Sequence, residues 1–210
     1  LDAGGINPLM RALWLPRLLP ALQWAADRIA GFARDGRTIL LTEKWGAIDY
    51  AGVRLRGKPD RIDQQRDGTL VIVDYKTGKA PSTTAVKAGY RMQLGLLGVI
   101  AREGGFPGIA PGTQASGFEY WSFSRDGDRG FGKVSSPVEA EGKRGKIVTS
   151  TFLTIVDERF REAVETYLTG TAPFVARLHP DAPVFSDYDQ LMRLDEWYGR
   201  APAKATDNGG

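Results

Sequence analysis

Apolar residues recur at three- and four-residue steps through Trp14, Leu18, Leu22, Ala25 and Ile29, which predicts a helix over Leu13 to Arg34. Pro16 and Pro20 fall inside it and should break or kink its first half, and Gly36 ends it. Thr38 to Tyr50 then predicts a strand carrying Glu43, which turns at Ala51-Gly52 into a second strand, Val53 to Ile62. An Asp67-Gly68 turn leads into a third, Thr69 to Lys76. Its run Leu70-Val71-Ile72-Val73 is continuously apolar, as a strand buried on both faces requires.

Further on, Pro81, Ser82 and the Thr83-Thr84 pair form a turn that can cap a helix from Ala85 to Glu103, with Tyr90, Leu94, Leu97 and Ala101 on one face. Phe118 to Ser124 predicts another strand. Phe152, Ile155, Val156, Phe160, Ala163, Val164, Tyr167 and Leu168 then form an amphipathic helical stripe, with Gly170 just past its end. No internal repeat is present. The expected architecture is α/β, a mixed central sheet flanked by helices. It divides into an N-terminal helical segment (1–37), a core (38–170), an irregular aromatic and proline-rich wrap with a short final helix (171–200) and a polar, disordered tail (201–210).

Composition narrows the chemistry. A chain of 210 residues with 42% apolar content can bury a real core. Its richest apolar stretch, Leu13 to Ala30, is interrupted by Pro16, Arg17, Pro20 and Asp27, so no membrane span is expected. Nothing resembles a signal peptide, and a cytoplasmic protein, opening at Leu1 as a piece of something longer, is the expectation. Cysteine is absent and His179 is the single histidine. A bound metal would therefore take oxygen ligands, which favours magnesium, manganese or calcium. The net charge of +3 and a pI near 9.2 permit a polyanionic partner. Arg125, Arg129, Lys133, Lys143, Arg144 and Lys146 gather in one glycine-rich stretch, either a solvated loop or a nucleic-acid contact. No Gly-x-x-x-x-Gly-Lys-Ser/Thr phosphate loop occurs, so this segment is not an ATP-driven motor.

The chemistry concentrates in Gly57-Lys58-Pro59-Asp60-Arg61-Ile62-Asp63 and Val71-Ile72-Val73-Asp74-Tyr75-Lys76-Thr77-Gly78. Asp74 and Lys76, two apart on a strand, share a face, and Tyr75 points the other way. If the preceding strand pairs with this one, Asp60 lies beside Asp74. Two carboxylates so placed repel unless a cation neutralises them. Magnesium does so and lowers the pKa of a bound water, which Lys76 can orient or deprotonate for attack on a phosphodiester. Asp-Tyr-Lys alone reads as readily as an ion pair at a sheet edge; the full pattern carries more content.

That full pattern resembles the PD-(D/E)XK nuclease superfamily in its RecB/AddB branch, whose motifs run Gly-x-x-Asp-Arg-Ile-Asp and Asp-Tyr-Lys-Thr-Gly. The branch's downstream Gln-x-x-x-Tyr motif is met by Gln93, although Leu97 stands at the tyrosine position. The run Phe185 to Leu191, ending near Glu196-Trp197, is similar to the end of proteobacterial AddB-type subunits, so the likeness spans about Thr38 to Arg200. The resemblance implies a restriction-endonuclease-like core, with Asp60, Asp74 and the Tyr75 carbonyl as metal ligands. It implies Lys76 as the catalytic lysine and Gln93 as a positioning group. Glu43 is either the superfamily's early acidic residue or a partner for Arg54 or Arg56 across the hairpin.

Two departures stand out: no histidine precedes Asp60, and without cysteine this segment holds no iron–sulfur cluster. The function implied is a Mg2+-dependent deoxyribonuclease of exonuclease type, with Mn2+ as a possible substitute. Its setting would be double-strand-break repair, with DNA and an AddA-like helicase–nuclease subunit as partners and no membrane. The competing expectation is a nuclease-fold scaffold that binds DNA or the partner without cutting; retention of Asp60, Asp74 and Lys76 argues against it. Lys79, Lys87 and Arg91 either steer phosphates or solvate a helix face. His179 reads as a loop residue, and Trp121 as a buried residue rather than a base-stacking one.

Overall fold

The computed structural model describes residues 8–125, 131–140 and 145–173. The chain divides into two compact units, Leu1–Thr171 and Ala172–Gly210, and the first holds every element named here. The wrap and tail after Pro173, His179, and Arg129, Lys143 and Arg144 of the basic stretch lie outside the described residues.

Helix α1 (Pro8–Arg34) is followed by β1 (Thr38–Thr42), the hairpin β2 (Gly46–Tyr50) and β3 (Val53–Gly57), then β4 (Arg61–Gln64) and β5 (Leu70–Lys76). Two helices, α2 (Thr83–Lys87) and α3 (Gln93–Arg102), precede β6 (Ala115–Arg125) and β7 (Phe131–Ser135). The short strands β8 (Val138–Glu139) and β9 (Ile147–Val148) pair in parallel ahead of α4 (Thr149–Ala163), which runs into a π-helical turn at Val164–Leu168. The main sheet has the order β1-β4-β5-β6-β7, with β5 and β6 parallel and every other pair antiparallel. This is the mixed, helix-flanked sheet expected. Among the described residues no helix is long and apolar enough to cross a membrane.

The continuous apolar run of β5 is explained by its two faces. Leu70 and Ile72 join Leu94, Leu97, Phe118 and Phe152 in the larger core beneath α3 and α4. Val71 and Val73 join Trp121, Trp24, Ala25, Ile29 and Phe32 in a second core beneath α1. Gly95 lets α3 approach α4, because a Cβ there would stand 2.4 Å from Val156. Tyr50 fastens the β2–β3 hairpin to α4, donating from its hydroxyl to Asp157 at 2.6 Å.

Several predicted boundaries are corrected. The helix predicted from Leu13 starts at Pro8 and runs unbroken through Pro16 and Pro20. Both prolines are exposed, and the carbonyls they leave without donors, on Ala12 and Pro16, belong to exposed residues that water can reach. Trp14, Leu18 and Leu22 of the predicted stripe are exposed; the buried side begins at Ala21. The strand predicted from Thr38 to Tyr50 is two, split where Glu43 adopts a φ of 49°. The strand predicted from Val53 to Ile62 is also two, and Asp60 occupies the bend between them. The helix predicted from Ala85 to Glu103 is interrupted at 88–92, where Gly89 has a φ of 84°, so Tyr90 leaves the helical face.

Candidate active site

Register brings the acidic residues together. The pair Arg61–Val73 ends the β4–β5 ladder, so Asp60, one residue earlier, lies across from Asp74. Thr42 pairs with Arg61 on the other side, which sets Glu43 next to Asp60, and the Glu43 N–H bonds the carbonyls of Pro59 and Asp60 at 3.1 and 3.3 Å. Three neighbouring strand ends thus carry Glu43, Asp60 and Asp74 in a row. Asp74 and Lys76 continue the Ile72 face of β5, beneath the start of α3.

Asp74 is buried, with an Oδ2 that lies 2.5 Å from the Lys76 ammonium. That contact is short but badly aligned, so the buried oxygen lacks a well-directed donor. Burial pushes the Asp74 carboxyl above the usual carboxylate range, Lys76 opposes the rise and the charge of Asp60 adds to it. Asp60 accepts the Tyr75 backbone N–H at 2.5 Å. Lys76 also donates to the Gln93 side-chain carbonyl at 3.3 Å, so Gln93, the first residue of α3, reaches the same group. Glu43 forms an ion pair with Lys58, and not with Arg54 or Arg56 as the hairpin alternative supposed; Arg54 bonds Asp49 instead.

The opposite face of β5 holds a second charged cluster. Arg37 bridges Asp63 on β4 (2.8 Å) and Glu119 on β6 (2.8 and 2.9 Å), spanning β5 between them. Arg61, 1% exposed, pairs with Asp63, donates to the Tyr75 hydroxyl at 3.0 Å and lies 4.1 Å from the Trp121 ring centroid. Burial alone would raise the Glu119 carboxyl, but the hydrogen bonds and charge of Arg37 outweigh it and hold it below the usual range.

The remaining predicted residues separate. Lys79 and Arg91 line a pocket of about 420 Å³ with Lys76, Gln93 and Tyr120; Lys87 is exposed and lies outside that lining. Trp121 is fully buried and presents no face to a base. Sequence reasoning passed over Tyr120, Ser122 and the placement of Lys133. Asp74 pairs with Tyr120 across β6, and Lys76, Ser122 and Lys133 form one row across β5, β6 and β7. Burial, and then the charge of Asp74, push the Tyr120 hydroxyl up to about 12, so it remains a neutral donor. A second cavity of about 630 Å³, lined by Lys79, Ser122, Lys133 and Lys146 among others, shares Lys79, Pro81 and Tyr120 with the first. The signal that could have found this row was the alternation along β6 and the lysine at Lys133, obscured by the length of the basic stretch.

Among the described residues no group of three or more Asp, Glu, His or Cys side chains converges as a metal site. Asp60 and Asp74 lie opposite each other in register, and Tyr75 follows Asp74 and donates its backbone N–H to Asp60. The buried Asp74 carboxylate, beside Asp60 and in contact with Lys76, and an all-oxygen donor set fit a hard divalent cation. The model of the PD-(D/E)XK nuclease superfamily matches residues 7–180. No curated protein matches the chain.

Proposed function

Because the chain belongs to the PD-(D/E)XK nuclease superfamily, whose members are generally metal-dependent nucleases, we propose that Asp60, Asp74 and Lys76 form a working deoxyribonuclease site of exonuclease type. The observation that carries this reading is the adjacent Asp60–Asp74 pair at the end of a buried strand, with Lys76 in reach of one carboxylate and of Gln93.

Asp60, Asp74 and the Tyr75 carbonyl would hold Mg2+, or Mn2+ in its place, with Glu43 at the margin once released from Lys58. When bound, the cation neutralises the carboxylates and lowers the pKa of a coordinated water. Lys76 orients the attacking water and offsets negative charge building on the phosphate. Gln93 keeps the Lys76 ammonium directed at that point. Water attacks phosphorus in line and gives up a proton to solvent, the bond to the departing sugar oxygen breaks, and that oxygen takes up a proton from solvent. Lys79, Arg91 and Lys133 line the cavities on either side of Tyr120 and can hold the flanking phosphates.

The Asp-Arg-Ile-Asp and Asp-Tyr-Lys-Thr-Gly motifs support a RecB/AddB-type setting: a cytoplasmic helicase–nuclease that resects broken DNA ends beside an AddA-like subunit. The absence of a third converging carboxylate among the described residues favours one rival, a nuclease-fold scaffold that binds DNA or its partner without cutting. End-labelled single-stranded DNA incubated with the full chain and Mg2+ decides between them. Metal-dependent shortening that disappears in Asp74→Ala supports the nuclease; binding without shortening in both proteins supports the scaffold.

A further inference from the structure

The β2–β3 hairpin joins the site at its base. Trp45 stands two residues after Glu43, so their Cα atoms are at most about 7–8 Å apart. Glu43 in turn is bonded to Pro59 and Asp60. Ile48 and Leu55 of the hairpin pack inward on the core, leaving Trp45 outside and 58% exposed. The Arg56 guanidinium lies over the indole, 4.4 Å from its centroid. Arg54 is committed to Asp49, whereas Arg56 has no carboxylate partner among the described residues. Trp45, Arg54 and Arg56 line a pocket of about 250 Å³, floored by Gly46 and Ala47.

We propose that Trp45 and Arg56 form a stacking subsite for an unpaired nucleobase next to the scissile phosphate. The inference rests on the nuclease reading and deepens it. With Arg56 over one face of the indole, the 58% exposed Trp45 can take a base on its other face, while the guanidinium, which has no carboxylate partner among the described residues, meets the adjoining phosphate. Ala47, which pairs with Arg56 across the hairpin, puts only a methyl group on that face. A base stacked on Trp45 has left its duplex, so the strand drawn into the site is single-stranded at that nucleotide. The contact reads no base edge, and sequence preference is therefore weak. Trp14, exposed to a similar degree, sits among Leu13, Leu18 and Leu19 of α1; Arg17 lines its pocket, but among the described residues no guanidinium lies over its ring as Arg56 lies over Trp45.

The test measures binding of labelled oligothymidylate, and of an abasic oligomer of equal length and charge, by fluorescence anisotropy. The full chain carries Asp74→Asn so that nothing is cut. The base-bearing oligomer should bind more tightly, and Trp45→Ala should abolish the preference with a loss of roughly 5- to 150-fold. Trp45→Phe, which keeps a ring, should retain most of it, which separates stacking from a folding defect. Equal binding of the two oligomers, unchanged binding by Trp45→Ala, or no binding at all would overturn the subsite. Cleavage by the unsubstituted chain is scored in parallel. Base preference without cutting defeats the nuclease reading and leaves the subsite standing; cutting without base preference does the reverse.

Discussion

The two faces of β5 carry charge in opposite ways. Beneath α1, Arg37 and Arg61 meet Asp63 and Glu119, two cations for two carboxylates, all within one linked cluster. Beneath α3, Asp60 and Asp74 lie side by side and of the two only Asp74 has an ion pair among the described residues, with Lys76, while Glu43 and Lys58 neutralise each other alongside. The balanced cluster lowers the Glu119 carboxyl; the unbalanced one leaves Asp74 raised. Both are costly to bury, but only the second has a reason to recruit a further cation. A charge cluster that is complete in itself reads as structure, and one that is a charge short reads as a site.

The largest effect should come from removing the cation that acts on the unbalanced face. Lys76→Met should lower the cleavage rate roughly 10²–10⁴-fold while metal binding persists, measured by single-turnover cutting and calorimetry. Loss of both together would mean that Lys76 serves the fold instead. Breaking the balanced face should act on stability. Arg61→Met leaves Asp63 short of a partner in a buried setting and should cost about 3–5 kcal/mol by urea unfolding. A change below 1 kcal/mol would mean that the cluster is already solvated.

Relieving the unbalanced face should do the opposite. A raised Asp74 pKa means that the fold favours its protonated form, so the ionised group opposes folding at neutral pH. Metal-free Asp74→Asn should therefore melt above the unsubstituted chain, by roughly 2–4 °C per kcal/mol relieved. A lower Tm would show that the Lys76 contact outweighs burial. The smallest effect concerns Glu119. Its depressed pKa supplies stability that is full above the usual glutamate value of 4.5 and is lost as pH falls through the folded value. Glu119→Gln should flatten the acid limb of a Tm-against-pH profile, and an unchanged limb would mean that other carboxylates govern it.

How much of this was legible in the sequence varies with range. The apolar run of β5, the Asp67-Gly68 turn and the Asp60–Asp74–Lys76 constellation all follow from local pattern, because a strand's alternation is fixed within a few residues. The Gly89 interruption was hidden because Tyr90, Leu94 and Leu97 keep helical spacing across it. Pro16 and Pro20 overstated a break, since exposure to water lowers what each lost hydrogen bond costs. Pairing between β4 and β5 was within reach through the Asp67-Gly68 turn, but contacts between other segments were not. That Glu43 pairs with Lys58, that Arg37 spans β4 and β6, and that Lys133 shares a row with Lys76 all depend on register between strands far apart in the chain. Trp45 carries the same lesson: its exposure depends on which hairpin face packs on α3.

The most direct test of the central claim is a calorimetric Mg2+ titration of the full chain against its Asp74→Asn variant. One-sided charge at Asp60 and Asp74 predicts saturable binding by the unsubstituted chain and its loss in the variant. Equal binding by the two proteins, or none by either, would contradict the assignment of these aspartates as the metal site.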